Sequence, residues 1–408
     1  MARAVESGRR PAAIAFFAAT AWDGNRFPDQ HMAERLARKT PVLYVDPPLS
    51  VLRTTSGLRG LVSPRIERLT PTLTRVTSLA PPFPHRAFVR NLSHATTRRG
   101  ARVAARRLGV DVQTVVVASL SPLLDAFPGA RRVLYGTDDF AAGAALMSVS
   151  QSWLNRREIA QLRSADVVVS VSETLADKWR GLGHPTSVVP NGCDFDHFAQ
   201  ADDSPWPDDV ELPGPIAGFV GHMSERIDFS ILERVAETGS SLLLVGPRQS
   251  TCDWQPMERL LSRPNVQWVG PKPFEQLPSY VRAINVGLVP YADSAFNRGS
   301  FPLKTLEYLA AGRPTVATDL PAIRWLDTPT VSMAKDPSEF SHLVVQALSQ
   351  RPEEKTVAAM RAVAERNSWD LRAREFADLL GLSPDSATDG AMSVEGAIRR
   401  TSGKEGES

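Results

Sequence analysis

The chain has 408 residues, of which 42% are hydrophobic and 23% are charged, and this indicates a soluble globular protein that is too long for one ordinary core. It contains two cysteines, Cys193 and Cys252, so neither a disulfide framework nor a cysteine-based metal site is expected. No apolar stretch approaches the roughly 20 residues that a membrane-spanning helix needs.

The net charge of +2 is unevenly distributed along the chain. Residues 1–190 carry 26 Lys and Arg against 14 Asp and Glu, whereas the remainder carries 21 against 31. This asymmetry indicates that the first half faces something anionic.

The first strand–helix–strand unit begins near the N-terminus. Residues 14–19 and 42–46 are apolar runs typical of buried strands, and residues 30–39 between them have a helical pattern. This order predicts a parallel sheet, in which ligands bind at the carboxyl ends of the strands. The residues expected at the mouth of the site are Trp22, Asp23, Arg26, Gln30 and His31.

The same N-terminus allows a second interpretation. Arginines followed by an apolar run and an Ala-Thr-Ala triplet also fit a secretory signal peptide. We favour the buried strand, because the run is short and opens directly into the loop and helix pattern.

A basic segment at residues 86–107 follows a region rich in proline. Between residues 68 and 110 there is no Asp or Glu. Two interpretations remain open: a solvated charged face, or docking on an anionic membrane surface or a phosphorylated lipid acceptor. The second would place a cytoplasmic protein peripherally on the inner face of the plasma membrane, whereas nucleic acid is not expected because no aromatic platform interleaves the arginines. The row that recurs at every fourth residue is Arg86, Arg90, His94, Arg98, Arg102 and Arg106.

Two carboxylates, Asp138 and Asp139, follow the predicted strand at residues 131–137. Catalytic groups on parallel sheets lie at such strand ends, so either carboxylate is a candidate to hold an acceptor hydroxyl or its proton. The alternative for either residue is an aspartate that caps the following turn.

The second half repeats the alternation after a turn at Pro190, Asn191 and Gly192. Apolar runs near residues 216, 241, 266, 286 and 315 alternate with helical patterns. The predicted organisation is an N-terminal Rossmann-like acceptor domain at 1–190, a hinge and linker at 191–214, a C-terminal Rossmann-like donor domain at 215–368, a terminal helix crossing back at 369–382, and a disordered tail at 383–408.

The stretch at residues 296–316 predicts a loop, a helix and a strand. Ser300 is a good helix N-cap, Pro302 falls in the first turn, and Gly312 ends the helix. A helix N-terminus preceded by glycine suits a phosphate group. Lys304 and Glu307 share a helix face, so the lysine could neutralise a diphosphate while the glutamate binds sugar hydroxyls.

Three segments resemble the GT-B glycosyltransferases, especially family 4 (group 1) of the kind found in bacterial cell-surface polysaccharide synthesis. They are FPLKTLEYLAAGRPTVAT, SVVPNGCDFDHF and GFVGHMSERIDFSIL. The resemblance implies an α/β fold with two Rossmann-like domains facing across a cleft. It also implies transfer of a sugar from a nucleotide-diphosphate donor to a hydroxyl of a glycan or polyprenyl-linked acceptor, with retention of configuration and without a metal or other cofactor.

The resemblance assigns donor-binding roles to residues of the second half. Glu307 matches the glutamate that holds the ribose hydroxyls, and Lys304 faces the same cleft. Gly221 matches the glycine beside the phosphates, and Gly246 and Pro247 would border the base pocket. The backbone amides expected to hold phosphate oxygens are those of Ser300, Phe301 and Leu303.

The sequence also departs from the family pattern at three positions. Gly299 stands where a glutamate often contacts the donor sugar, and His222 and Asp228 stand where an arginine and a lysine often hold the diphosphate. We expect the charge to be carried by Arg226, Lys304 and Arg298. The alternatives are a nucleotide-sugar epimerase of GT-B fold and a non-catalytic GT-B protein that binds a glycan or a partner.

Overall fold

The computed structural model describes residues 10–23, 26–51, 63–82, 87–147, 149–249 and 253–382. In the helix that begins at residue 87, side chains are described from residue 89 onward. The predicted disordered tail at 383–408 lies outside the described residues, and so do Cys252 and Arg86.

An eight-stranded sheet forms the first half of the molecule. The strands of this half are β1 (Ala12–Phe17), β2 (Val42–Val45), β3 (Leu49–Ser50), β4 (Arg65–Arg68), β5 (Leu73–Thr77), β6 (Leu79–Ala80), β7 (Asp111–Val117), β8 (Arg131–Gly136), β9 (Val167–Ser170) and β10 (Ser187–Val188). Their order across the sheet is β10-β9-β8-β7-β1-β2-β5-β4, and β3 and β6 form a separate pair. Strand β1 is parallel to both β2 and β7, which confirms the strand predicted near the N-terminus.

A six-stranded parallel sheet forms the second half. Its strands are β11 (Ile216–Val220), β12 (Ser241–Val245), β13 (Val266–Trp268), β14 (Val286–Val289), β15 (Thr315–Thr318) and β16 (Val331–Ala334). Their order is β13-β12-β11-β14-β15-β16. Both sheets are therefore doubly wound around a central strand, β1 or β11.

Helices connect the strands of both sheets. In the first half they are α1 (Pro28–Leu36), α2 (Ala87–Leu108), α3 (Gln151–Ser164) and α4 (Glu173–Gly181), and α5 (Phe195–Ala199) follows the hinge. In the second half they are α6 (Phe229–Glu237), α7 (Gln255–Leu261), α8 (Leu277–Ala283), α9 (Ala295–Gly299), α10 (Leu303–Ala310), α11 (Pro321–Trp325), α12 (Pro337–Leu348), α13 (Glu354–Arg366) and α14 (Trp369–Leu379). Within the described ranges, no helix combines the length and the apolar character that crossing a membrane requires.

Side-chain alternation along β1 places helices on both faces of the first sheet. Ala15 and Phe17 share a core with Ala101 of α2. Ile14 and Phe16 share a core with α1 and α14 on the opposite face. A strand buried on both faces must be apolar throughout, and this explains why β1 reads as a continuous hydrophobic run.

The chain crosses between the two halves twice, and the two crossings pair with each other. The Cys193 amide donates to Asn367 O at 3.0 Å, and the Trp369 amide donates to Cys193 O at 3.0 Å. A Cβ atom on Gly192 would lie 2.6 Å from Trp369 N, so only glycine allows this approach. Helix α14 then returns to the first half, where Phe376 packs edge-on against Tyr135.

The segment before α10 differs from the sequence prediction. Residues 295–299 form the short helix α9 rather than a loop, because the Ser294 side chain caps it by accepting from the Asn297 amide. Helix α10 begins at Leu303, with Pro302 as the flanking residue. The prediction of Ser300 as the N-cap of α10 was therefore wrong.

We expect Gly192→Ala to destabilise the fold by at least about 1–3 kcal/mol, because the added methyl group overpacks the paired crossings. Urea unfolding would measure this change. Gly181→Ala is the matched control, since no atom within 4 Å would meet the new Cβ. Equal stability of the two variants would contradict the packing argument.

Candidate functional site

A cavity of about 620 Å³ lies between the two sheets, at the carboxyl ends of their strands. Asp138 from the loop after β8 lines it from the first half, and Gly221 and Gly246, which follow β11 and β12, line it from the second. This is where parallel sheets bind ligands. Its lining also includes Arg26, Phe27, Thr137, Asn191, His222, Arg226, Pro247, Phe274, Phe301, Leu303 and Lys304.

The N-terminus of α10 faces this cavity. Phe301, Pro302, Leu303 and Lys304 all line it. The first amides of a helix have no partner within the helix, and the helix dipole adds a partial positive charge. The cavity therefore contains a helix end whose free amides and dipole favour an anion. The Ser300 amide is not part of it, because that amide donates to Asn297 O at 3.3 Å, and this corrects the prediction that it holds phosphate.

Lys304 and Glu307 form an ion pair on one face of α10. Lys304 Nζ lies 2.9 Å from a Glu307 carboxylate oxygen, and the side chains are 21% and 9% exposed. Lys304 lines the cavity, whereas Glu307 lies behind it and outside the lining. Glu307 thus holds the lysine from behind the cavity.

Two glycine loops of the second half also line the cavity. Gly246 has a φ of 135°, and a Cβ there would lie 1.9 Å from Gly221 O, so the position admits glycine alone. The Gly246 amide donates to Gly270 O, and the Trp268 indole donates to Gly246 O at 2.9 Å. These contacts fix the loop that carries Pro247 into the cavity.

Of the three cations expected to neutralise the diphosphate, two line the cavity and one does not. Arg226 lines the cavity, donates to Asn297 Oδ1 at 3.0 Å and stacks over Tyr291. Arg298 does not contribute, because it pairs with Asp293 in an exposed position outside the cavity lining. The prediction for Arg298 was therefore wrong.

The two departures at residues 222 and 228 have different structural outcomes. His222 lines the cavity, and burial together with the charges of Lys304 and Arg226 lowers its pKa, so it is a neutral imidazole at pH 7. Asp228 lies outside the cavity lining and caps α6 by accepting from the Ser230 amide at 3.0 Å.

Arg26 is a cavity cation that the sequence did not single out for the donor. Its guanidinium lies 5.4 Å from the Phe274 ring of the second half and pairs with Glu34. The sequence could have indicated this residue, because Arg26 lies in the loop after β1 and that loop was expected at the mouth of the site. Among the described residues, no group of three or more His, Cys, Asp or Glu side chains is placed to hold a metal ion.

Comparison with known proteins identifies the enzyme class. Residues 214–350 match the model of the family described as "Glycosyl transferases group 1". The chain is a glycosyltransferase. It is 27% identical over 277 residues to TuaH of Bacillus subtilis (strain 168), a protein named for glycosyl transfer in teichuronic acid biosynthesis, and the match covers 64% of this chain and 70% of TuaH.

Solved structures share the fold of this glycosyltransferase. A sucrose-phosphate synthase from Thermosynechococcus elongatus has a TM-score of 0.72 and 16% identity over 90% of this chain and 98% of its own. An E. coli structure described as trehalose-6-phosphate bound with UDP-2-fluoro glucose has a TM-score of 0.65 and 12% identity, with the same coverage of 90% and 98%. The predicted α/β fold class and the GT-B arrangement are thereby confirmed.

The two carboxylates after β8 of the glycosyltransferase point in different directions. Asp138 is half-buried in the cavity wall, and its Oδ1 accepts from Ser300 Oγ at 2.7 Å. Asp139 accepts from Lys178 Nζ at 2.8 Å and from the Ala142 amide at 3.0 Å, outside the cavity lining. Asp139 thus has the capping role that the sequence left open, and Asp138 alone faces the site.

Ser300 Oγ lies between Asp138 and the backbone of α9. It donates to Asp138 Oδ1 at 2.7 Å and lies 2.9 Å from Phe296 O. Burial raises the pKa of the Asp138 carboxyl, whereas the charge of Arg226 and the hydrogen bond from Ser300 act in the opposite direction.

Asp138→Asn should gain stability relative to the parent enzyme as the pH rises. A raised carboxyl pKa stabilises the fold at low pH, and this contribution is lost as the pH rises above the ordinary value of 3.8. The amide is neutral at every pH, and its oxygen can still accept from Ser300. Urea unfolding at pH values from about 4 to about 8 would measure this difference in stability.

The control for this experiment is Asp139→Asn. It removes an ion pair with Lys178 and should therefore lower stability at pH 7 by about 1–3 kcal/mol. If Asp138→Asn instead follows the pH profile of the parent enzyme, Asp138 does not carry a proton in the folded protein.

Proposed function

We propose that this glycosyltransferase moves a sugar from a nucleotide-diphosphate donor to a hydroxyl of a polysaccharide or lipid-linked acceptor, with retention of configuration and without a metal. The observation that supports this proposal most directly is the N-terminus of α10, with Lys304, in the cavity between the domains. The donor domain at 215–368 supplies this helix, and the acceptor domain at 1–190 supplies the opposite wall.

The charge distribution fits a diphosphate leaving group. When the glycosidic bond to the donor breaks, negative charge develops on the diphosphate, and preorganised cations and dipoles stabilise it. Lys304 and Arg226 line the cavity on the side of α10, and Arg26 reaches it from the first domain. The amides of Phe301 and Leu303 and the backbone at Gly221 would approach the phosphate oxygens.

The remaining donor contacts follow from the arrangement of the loops. Glu307 would bind the ribose hydroxyls through the carboxylate oxygen that Lys304 leaves free, and Gly246 and Pro247 would border the base. Two structural relatives are described with UDP, the E. coli structure with UDP-2-fluoro glucose and an Anabaena protein, HepE, with UDP and glucose. UDP is therefore the first nucleotide to test.

On the acceptor side, Asp138 is the candidate catalytic group. It would hold an acceptor or donor hydroxyl by hydrogen bonding, and as a carboxylate it would accept the proton of an acceptor hydroxyl. The similarity to a teichuronic acid glycosyltransferase supports a cell-surface glycan as the acceptor.

We expect Lys304→Ala and Glu307→Ala each to reduce transfer at least 100-fold, because one removes the cation at the leaving group and the other removes the group that holds that cation and the ribose. Release of UDP from UDP-sugars would measure turnover, and circular dichroism would verify the fold. Arg298→Ala is the matched control, a cation near α10 but outside the cavity lining, and it should retain activity. Full turnover in both cavity variants would refute the donor assignment.

We further propose a peripheral position on the inner face of the plasma membrane, through α2. The arginine row predicted for this role is only partly available. Arg98 donates to Pro122 O and pairs with Asp125, and Arg102 donates to Ala126 O at 2.6 Å. Leu92, which is 43% exposed, and the exposed Arg99 and Arg106 instead form one stripe at seven-residue spacing.

Arg99→Ala with Arg106→Ala should therefore weaken binding to anionic phosphatidylglycerol vesicles, because each basic residue near such a surface contributes about 1 kcal/mol. Vesicle co-sedimentation at low and at physiological salt would measure it. Arg98→Ala with Arg102→Ala is the control pair, from which a smaller loss is expected. Equal binding by the parent enzyme and the Arg99/Arg106 variant would argue against membrane docking through this stripe.

A further inference from the structure

Three consecutive residues of the donor domain are held by the acceptor domain and the hinge. Ser172 Oγ donates to Gly299 O at 2.6 Å, the Asp138 carboxyl bonds Ser300 Oγ at 2.7 Å, and Asn191 Nδ2 donates to Phe301 O at 3.2 Å. We call residues 299–301 with these three hydrogen bonds the interdomain clasp.

The partners in the clasp follow three neighbouring strands. Asp138 comes two residues after β8, Ser172 two residues after β9, and Asn191 three residues after β10. These strands are adjacent in the first sheet, so their carboxyl ends present a short polar row. Residues 299–301 cross this row, and Leu303 then begins α10.

The side chains that form the clasp are buried, so the clasp is not a surface contact. Ser172 and Asn191 are 5% and 3% exposed. A Cβ on Gly299 would lie 2.9 Å from the Asp139 Cβ, so the donor segment meets the acceptor domain at the closest distance that a glycine allows. The glycine at the position of the expected sugar-binding glutamate is thus explained by close domain packing.

The orientation of the Asn191 amide is fixed by one hydrogen bond, but its other polar atom is unpaired. Its Nδ2 faces the Phe301 carbonyl, so the opposite amide orientation would place two acceptors together. Its Oδ1 is buried and has no hydrogen-bond partner among the residues that the structure describes. Leaving such an atom unpaired costs folding free energy. The clasp therefore includes an energetically unfavourable unpaired atom. Such an atom is characteristic of a functional contact rather than of a purely stabilising one.

We propose that Ser172 and Asn191 are positioning residues, which hold residues 299–301 so that the N-terminus of α10 is placed for the donor diphosphate only when the two domains are closed. Neither side chain belongs to the donor domain. This inference rests on the proposed function, and it adds that donor affinity depends on the acceptor domain. Because the coupling is reciprocal, bound donor favours closure by the same free energy by which closure favours the donor.

The experiment compares UDP binding, by calorimetry, with domain closure, by small-angle X-ray scattering. Asn191→Asp is nearly isosteric but places a carboxylate against the Phe301 carbonyl, and we expect at least a tenfold weaker UDP affinity and a larger radius of gyration. Ser172→Ala should act in the same direction, and Ser172→Thr, which keeps the hydroxyl, should restore both properties. A raised donor KM with a smaller change in kcat is expected for both damaging variants.

Ser172 also caps α4 by accepting from the Leu175 amide, so the loss of a cap needs its own control. Asp336→Ala removes the cap of α12, and Asp336 lies outside the cavity lining. It should lower the midpoint of thermal unfolding without changing UDP affinity or the radius of gyration.

The outcomes distinguish the clasp from the proposed function. Unchanged UDP affinity and unchanged compactness in Asn191→Asp and Ser172→Ala would overturn the clasp while leaving the donor site intact. If the parent enzyme binds none of UDP, GDP and dTDP, the proposed donor fails. In that case an increased radius of gyration in the two variants still supports the interdomain role of these residues, and an unchanged radius overturns it.

Discussion

The pairing of the two interdomain crossings is the constraint on which the rest of the molecule depends. Two parallel sheets each collect their loops at a carboxyl-terminal edge, but a single site forms only if those edges face one another. The backbone bonds between Cys193 and residues 367 and 369 fix one crossing beside the other, and Gly192 allows their close approach. Helix α14 then anchors the second crossing on the first domain, where Trp369 stacks on His31 at 5.3 Å.

Because the two sheets face one another, positively charged groups from several elements lie in the same cleft. The N-terminus of α10 and Lys304 come from one strand–helix unit, Arg226 from the loop before α6, and Arg26 from the first domain. Arg226 lies over two aromatic rings and donates to an amide oxygen, and none of the described carboxylates forms an ion pair with it. The neutral His222 in the lining adds a hydrogen-bonding group without adding charge.

Packing between the two domains also explains a departure from the family pattern. Gly299 has no room for a side chain, because the first domain packs against it at Asp139. Asp138 brings a carboxyl group to this region from the opposite domain, where it accepts a hydrogen bond from Ser300. A carboxyl supplied across the cleft differs from one within the donor domain, since it is present only when the domains are together.

The sequence by itself determined the parallel sheets, because buried apolar runs alternating with amphipathic helices leave few other arrangements. It also determined the glycosyltransferase assignment and the pairing of Lys304 with Glu307, since a spacing of three residues on a helix is a local property. It could not determine that Arg298 points away while Arg26 points in, or that Asp138 and Asp139 take different roles. The roles of Asp138, Asp139 and Arg26 depend on contacts with Ser300, Lys178 and Phe274, which lie far from them in the sequence and meet them only in the folded chain. The tertiary structure alone decided the clasp at residues 299–301, because hydrogen bonds between domains join groups more than 100 residues apart, a separation at which local spacing carries no information.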